Sequence, residues 1–216
     1  MGIKRIGGGM AVNQITEGVI WKQLLYFFFP ILFGTFFQQL YNTADAVIVG
    51  QFVGTQALAA VGGATGSLIN FFVNLFVGLA SGTTVVIAQA YGAHDAESVG
   101  GTVHTSVALA LAAGLGLTAV GVAAAPWALS AMGTPADIMD FALTYLRVYM
   151  LGTIPSFLYN VGSGILRAVG DTKRPLYCLA AAGIINVVLN LVFVIGFSMS
   201  VAGVALATII SETVSA

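Results

Sequence analysis

Asp45 is the residue in this chain most able to do chemistry. It is the one charged side chain between positions 23 and 94, and it sits in an otherwise apolar run. An ionised carboxylate at the middle of a membrane helix costs about 2.5–3.5 kcal/mol on insertion scales. Chains keep such a group where it faces a cavity or a partner, and there it can take up and release a proton or a small cation. Gln38, Tyr41 and Asn42 precede it at helical spacings of seven, four and three, so most of this set shares one helix face as a polar stripe. Pro30 removes a backbone hydrogen bond fifteen residues earlier and can bend the helix. Asn186 and Asn190 form a second polar set, an i, i+4 pair projecting from one face. Their amide oxygens can accept from a protonated acid or help coordinate a cation. Blander readings stand beside these. Asp45 lies toward the outer end of a long helix, where water could hydrate it. The asparagine pair could be interhelical glue, at about 0.6 kcal/mol per bond.

Other polar residues point to chemistry less directly. Arg147 follows Asp137 and Asp140, and it either snorkels outward or forms a structural ion pair, the pair being the favoured reading. His94 and His104 have no second ligand at metal spacing. Ser163, in Val161-Gly-Ser-Gly164, is similar to an intramembrane-protease serine, yet no histidine follows it on a later helix. Cys178 is the single cysteine, which excludes an intrachain disulfide and a multi-cysteine metal site. Gly62/Gly66 and Gly78/Gly82 have the spacing that lets two helices approach closely.

The elements that hold these residues follow from charge. Only 7% of the 216 residues are charged, seven basic and eight acidic, while 58% are hydrophobic. Mean hydropathy is +0.98. A soluble domain carries about 25% charged residues. The deficit excludes a soluble globular enzyme, a disordered chain and a basic nucleic-acid binder. Charge-free runs cover 23–44, 46–94, 98–136, 148–166 and 175–211. A membrane helix needs about 20 mostly apolar residues. These runs predict an all-α, polytopic membrane bundle with spans near 20–48, 55–82, 99–125, 140–165 and 176–197, and a sixth over 201–216 that is incomplete. Continuous apolarity excludes barrel strands, which alternate. Residues 1–18 read as a cytoplasmic N-terminal segment and 19–216 as the membrane unit. Lys4, Arg5 and Lys22, then Arg167, Lys173 and Arg174, place the N-terminus and the 167–174 connection inside. The acidic 90–98 connection is also inside by alternation. Residues 1–20 lack the pattern of a cleaved signal.

Several segments, in this order, resemble the multidrug and toxic compound extrusion (MATE) transporters. The first span carries Pro30 and Gln38-Gln-Leu-Tyr-Asn-Thr-Ala-Asp45. Ala57-Leu-Ala-Ala-Val-Gly62, Gly78-Leu-Ala-Ser-Gly82 and Ala88-Gln-Ala-Tyr-Gly-Ala-His-Asp95 follow. Then come Tyr145-Leu-Arg147, Leu166-Arg-Ala-Val-Gly-Asp-Thr-Lys173, Asn186-Val-Val-Leu-Asn190 and Gly203-Val-Ala-Leu-Ala-Thr-Ile. The match runs from about Glu17 onward. The resemblance implies twelve helices in two six-helix lobes, with substrate between the lobes and alternating access. The chain then reads as the N-terminal six-helix lobe, a fragment lacking its C-terminal lobe. The resemblance also implies a cation site centred on Asp45 and completed by Asn186, Asn190 and Thr208. Some family members carry an acid at the position of Asn190. Its absence makes Asp45 the expected sole acid of the pocket.

The implied function is antiport: H⁺ or Na⁺ enters as an amphipathic, often cationic drug or toxic compound leaves. Asp45, Asn186, Asn190 and Thr208 would bind the coupling ion, Pro30 would bend the helix, and Gln38, Tyr41 and Asn42 would line the cavity. No enzymatic role, no cofactor, no metal beyond Na⁺ at Asp45 and no nucleic-acid partner are expected. The partners are small organic molecules, the lipid bilayer and the second lobe, and the location is the prokaryotic cytoplasmic membrane. Two alternatives remain at this stage. One is a lipid-linked oligosaccharide flippase, which would have a more cationic cavity. The other is a non-transporting membrane fragment with a packing role.

Overall fold

The computed structural model describes residues 19–216. The expected cytoplasmic segment 1–18, with Lys4 and Arg5, lies outside the described residues. Eight α-helices account for nearly all of the described chain: α1 (Ile20–Ile48), α2 (Thr55–Gly62), α3 (Ala64–Gly92), α4 (Ala96–Ala131), α5 (Met139–Leu151), α6 (Thr153–Ala168), α7 (Lys173–Leu191) and α8 (Val201–Ser215). Helix is the solution that satisfies each backbone N–H and C=O within one apolar segment. Wider π-helical turns extend α1 over Val49–Val53 and α7 over Val192–Gly196.

Among the described residues four stretches are long and apolar enough to cross a membrane: Ile20–Val53, Thr55–Gly92, Ala96–Ala131 and Lys173–Gly196. α5 and α6 make a fifth if counted as one span bent by 50°, and α8 is a shorter apolar helix. The helices depart from the expected bounds. The second span, expected over 55–82, breaks at Gly63 and continues to Gly92. The third, expected over 99–125, runs from Ala96 to Ala131, through Pro126. The connection expected over 90–98 is therefore short. Asp95 shortens it, because its carboxylate accepts from the Ser98 backbone N–H (3.0 Å) and hydroxyl (2.6 Å) and so caps α4. These bonds, the hydroxyl first, hold the Asp95 carboxyl below the usual carboxylate range. The 167–174 segment is a stop and a restart. Gly170 takes a left-handed φ of 91°, and Asp171 accepts from the N–H groups of Lys173 and Arg174 to open α7.

The bend between α5 and α6 was not legible as a break in the expected 140–165 span. Gly152 sits at the join, where an added Cβ would lie 2.6 Å from Ile209 Cγ1 of α8. Pro155 removes a helical donor just beyond it. Two hydroxyls compensate. Thr153 donates to Met150 O (2.9 Å) and lies 2.7 Å from Thr118 Oγ1 of α4, and Thr118 also reaches Met150 O at 3.0 Å. Thr153→Val should therefore cost about 1 kcal/mol. The readout is thermal unfolding in detergent, with a midpoint a few degrees lower. An unchanged midpoint would show that Gly152 and Pro155 hold the bend alone.

The close helix approaches also fall elsewhere than expected. A Cβ at Gly62, Gly78 or Gly82 would meet nothing within 4 Å, and one at Gly66 would meet only Val61 O of the preceding turn. Besides Gly152, tight contacts between helices fall at Gly121 against Met150 and at Gly164 against Thr84 and Ala80 O. Spacing alone does not say which face of a helix meets a neighbour. The apolar core has two parts. One joins Ile48, Ala57, Ala60, Leu129, Leu146, Met150, Val201 and Val204. The other joins Phe76, Ala80, Ala110, Phe157 and Val161 of α3, α4 and α6. α7 packs between α1 and α8, and α6 packs on α3 and α4. This leaves a cavity walled by α1, α3, α5, α6, α7 and α8.

Candidate functional site

The cavity has a volume of about 410 Å³. α1 contributes Pro30, Gln38, Tyr41, Asn42 and Asp45 to its wall. The helix runs without interruption through Pro30. Asp45 is only partly exposed, and Asn190 of α7 donates an amide N–H to its Oδ1. Asn190 Nδ2 also donates to Asn186 Oδ1 (3.1 Å), and Asn186 Nδ2 donates to Thr208 Oγ1 of α8 (3.4 Å). Asp45, Asn190, Asn186 and Thr208 thus form one hydrogen-bonded chain across three helices. Asn186 and Asn190 are 0% exposed and stand behind the carboxylate, while Thr208 reaches the cavity wall.

One atom in this chain is left over. Asn190 Oδ1 is buried without a hydrogen-bond partner. A buried acceptor without a donor is costly. It is relieved by a cation, or by a proton on Asp45 after rotation of the amide, since an Asn side chain exchanges donor for acceptor when it flips. The oxygens of Asp45, Asn186, Asn190 and Thr208 are the donor type a hard cation takes. Among the described residues no group of three or more His, Cys, Asp or Glu is placed to hold a metal ion.

The pocket corrects one expectation directly. Asp45 is not its sole acid, because Glu212 of α8 lines the same cavity. Glu212 lies one turn beyond Thr208, inside the sixth expected span, and is not among the residues expected to build the site. The sequence reading also missed α6. Ser156, Asn160, Ser163 and Arg167 all line the cavity, and their spacing of four, three and four was the available signal. Tyr145 and Tyr149 of α5 join them with ring centroids 6.1 Å apart. Arg167, expected in a connection, lies in the last turn of α6, where its Nε donates to Ser163 O at 3.2 Å. Arg147 is exposed and makes no ion pair. The one pair found among the described residues joins Arg174 to Asp171 at 3.0 Å. Among the described residues no acidic side chain pairs with Arg147, so the favoured structural-pair reading finds no partner there.

An all-helical apolar bundle around a carboxylate-bearing polar cavity is the build of one lobe of a membrane transporter. The family model MatE matches residues 30–192, and the chain belongs to this family of MATE transporters, which are not enzymes. It is 30% identical to the probable multidrug resistance protein YpnP of Bacillus subtilis (strain 168), over 95% of this chain and 46% of that protein. It is similar to a MOP superfamily transporter from Pyrococcus furiosus Vc1 (DSM3638), described by a reversed polarity of the binding pocket that suggests a different function. The TM-score there is 0.89 at 30% identity, covering 97% of this chain and 46% of that one. It is also similar to the crystal structure of MATE in the bent conformation, with a TM-score of 0.88 at 30% identity, covering 96% of this chain and 46% of the other. The chain spans about half the length of the relatives it matches.

Proposed function

We propose that this chain is the N-terminal lobe of a cation-coupled efflux transporter and that Asp45 carries the coupling ion. The observation that carries the reading is the buried network from Asp45 through Asn190 and Asn186 to Thr208, with Asn190 Oδ1 unpartnered. It joins α1, α7 and α8 through one ionisable group. A proton or Na⁺ arriving from outside neutralises Asp45. The loss of charge changes what Asn190 can donate or accept, and α1 repacks against α7 and α8, bending at or near Pro30. The cavity then narrows and an amphipathic, often cationic molecule leaves outward. Release of the ion inside resets the lobe. The N-terminus lies in the cytoplasm and the protein in the prokaryotic cytoplasmic membrane.

Proteoliposomes of the full-length transporter test this reading with a pH gradient and a Na⁺ gradient imposed separately. One gradient is expected to drive uphill movement of a fluorescent organic cation such as ethidium. Movement that follows neither gradient would overturn ion coupling. The flippase alternative calls for a cationic cavity. Here two carboxylates, Asp45 and Glu212, face one guanidinium, Arg167, which supports the efflux reading.

A further inference from the structure

We propose that Gly183 is a positioning residue for the ion site: it seats the ring of Tyr41 and so holds α1 at the distance from α7 at which Asp45 takes the amide of Asn190. The proposal rests on the ion-coupling reading of Asp45 and adds the residue that sets its contact with α7.

α1 and α7 run parallel, because residues met in order along one face residues in the same order along the other. Gly34 faces Leu176 and Leu179, where an added Cβ would lie 3.9 and 3.7 Å from their methyl carbons. Tyr41 faces Gly183, and Asp45 accepts from Asn190. Tyr41 and Asp45 are one turn apart on α1, and Gly183 stands one turn before Asn186 and two before Asn190 on α7. The glycine seat and the Asp45–Asn190 pair are therefore neighbouring rungs of one seam.

The fit at the seat is close. A Cβ on Gly183 would stand 3.3 Å from Tyr41 Cδ1, 3.8 Å from its Cβ and 3.9 Å from its Cγ. Carbon contacts are optimal at about 3.5–4.0 Å, so a methyl there already presses on the ring. A larger side chain would also meet Tyr41 Cβ, which is fixed to the α1 backbone and cannot turn away with the ring. Gly183 is buried, and the cavity wall takes Ala182 and Tyr41 instead. A change at 183 thus acts on α1 without adding a group to the cavity.

The spacing of the pair is set from this side. Just beyond Asp45 and Asn190 both helices widen into π-helical turns, Val49–Val53 and Val192–Gly196, which touch each other. Such turns interrupt the regular ladder of helical bonds. The regular part of the seam is the stretch through Gly34 and Gly183, and of these two Gly183 is the tighter contact. The charge of Asp45 reaches α7 through Asn190. A side chain at 183 that lifts α1 would leave Asp45 able to take an ion but unable to pass the change to α7.

Two measurements on the full-length transporter test this: the accumulation ratio of ethidium in proteoliposomes under the gradient that drives the wild type, and equilibrium ethidium binding in detergent. Gly183→Val is expected to lower the accumulation ratio about tenfold, from a ceiling of roughly 50-fold per 100 mV, with binding within about threefold. Gly183→Ala should fall between. Gly121→Ala, which crowds Met150 of α5, should lower the thermal unfolding midpoint and keep the accumulation ratio. A wild-type ratio in both Gly183 variants, or in Gly183→Ala alone if the valine variant does not fold, would overturn the proposal. So would an equal loss of accumulation in Gly121→Ala. Parallel loss of binding and accumulation, or a Gly183→Ala protein that does not fold, would make Gly183 a packing residue only and overturn it too. Failure of the coupling reading shows elsewhere, as wild-type movement of ethidium that follows neither a pH nor a Na⁺ gradient.

Discussion

Asp45→Asn should abolish gradient-driven efflux by the full-length transporter while leaving expression and folding intact. One charge crossing 100 mV supplies about 2.3 kcal/mol, which is roughly a 50-fold concentration bias. The mutant should lose that bias, so that the accumulation ratio of an organic cation in proteoliposomes falls to about one. Folding should survive because asparagine has nearly the same volume, and its amide oxygen still accepts from Asn190 Nδ2, the bond Asp45 Oδ1 accepts in the native chain. What asparagine cannot do is gain and lose a charge. The check pairs transport under an imposed gradient with a thermal unfolding curve. Normal coupled efflux with a normal curve would remove Asp45 from the mechanism.

Gly164→Leu should unfold or inactivate the lobe through packing alone. α6 lies against α3 here, and a Cβ at Gly164 would stand 2.6 Å from Thr84 Oγ1 and 3.2 Å from Ala80 O. Thr84 is itself held to Ala80 O at 2.8 Å, so turning it away forfeits that bond. The backbone carbonyl cannot turn away at all. Two turns earlier on α6, Phe157 stacks on Phe76 of α3 with centroids 4.7 Å apart, and both rings are 1% exposed. Separating the helices to admit a leucine would open that stack. In a bilayer, lipid tails are as apolar as the side chains, so association rests on such contacts rather than on the exclusion of water. Overpacking a tight site costs about 1–3 kcal/mol, and a branched four-carbon side chain against backbone belongs at the upper end. Thermal unfolding in detergent should show a midpoint lower by many degrees. A wild-type midpoint would mean that α3 and α6 can separate freely.

Composition and the placement of charge were enough to make this a helical membrane protein. A continuously apolar run of about 20 residues satisfies its own backbone in hydrocarbon as a helix, and a chain with 7% charge has no polar coat to offer water. Asp45 stood out because a carboxylate in an apolar run carries a cost that spacing and composition reveal without coordinates. Asn186 and Asn190 stood out as a pair because helical periodicity is local. Their meeting with Asp45 and Thr208 is not local. It needs α1, α7 and α8 to pack side by side, and the hydrogen-bonded pair Asp45 and Asn190 alone is 145 positions apart along the chain. Glu212 shows the limit most clearly. It stands inside the last apolar segment with nothing in its local sequence to say what it faces, and only the packing of α8 on α5 and α6 turns it into the cavity. The bend at Gly152 is similar, since the glycine is needed because Ile209 of α8 approaches it, and nothing beside it in the sequence records that neighbour. Periodicity and burial cost belong to one helix and are written in its residues. Which polar faces confront one another is a property of the whole bundle, decided by close packing between helices distant in the chain.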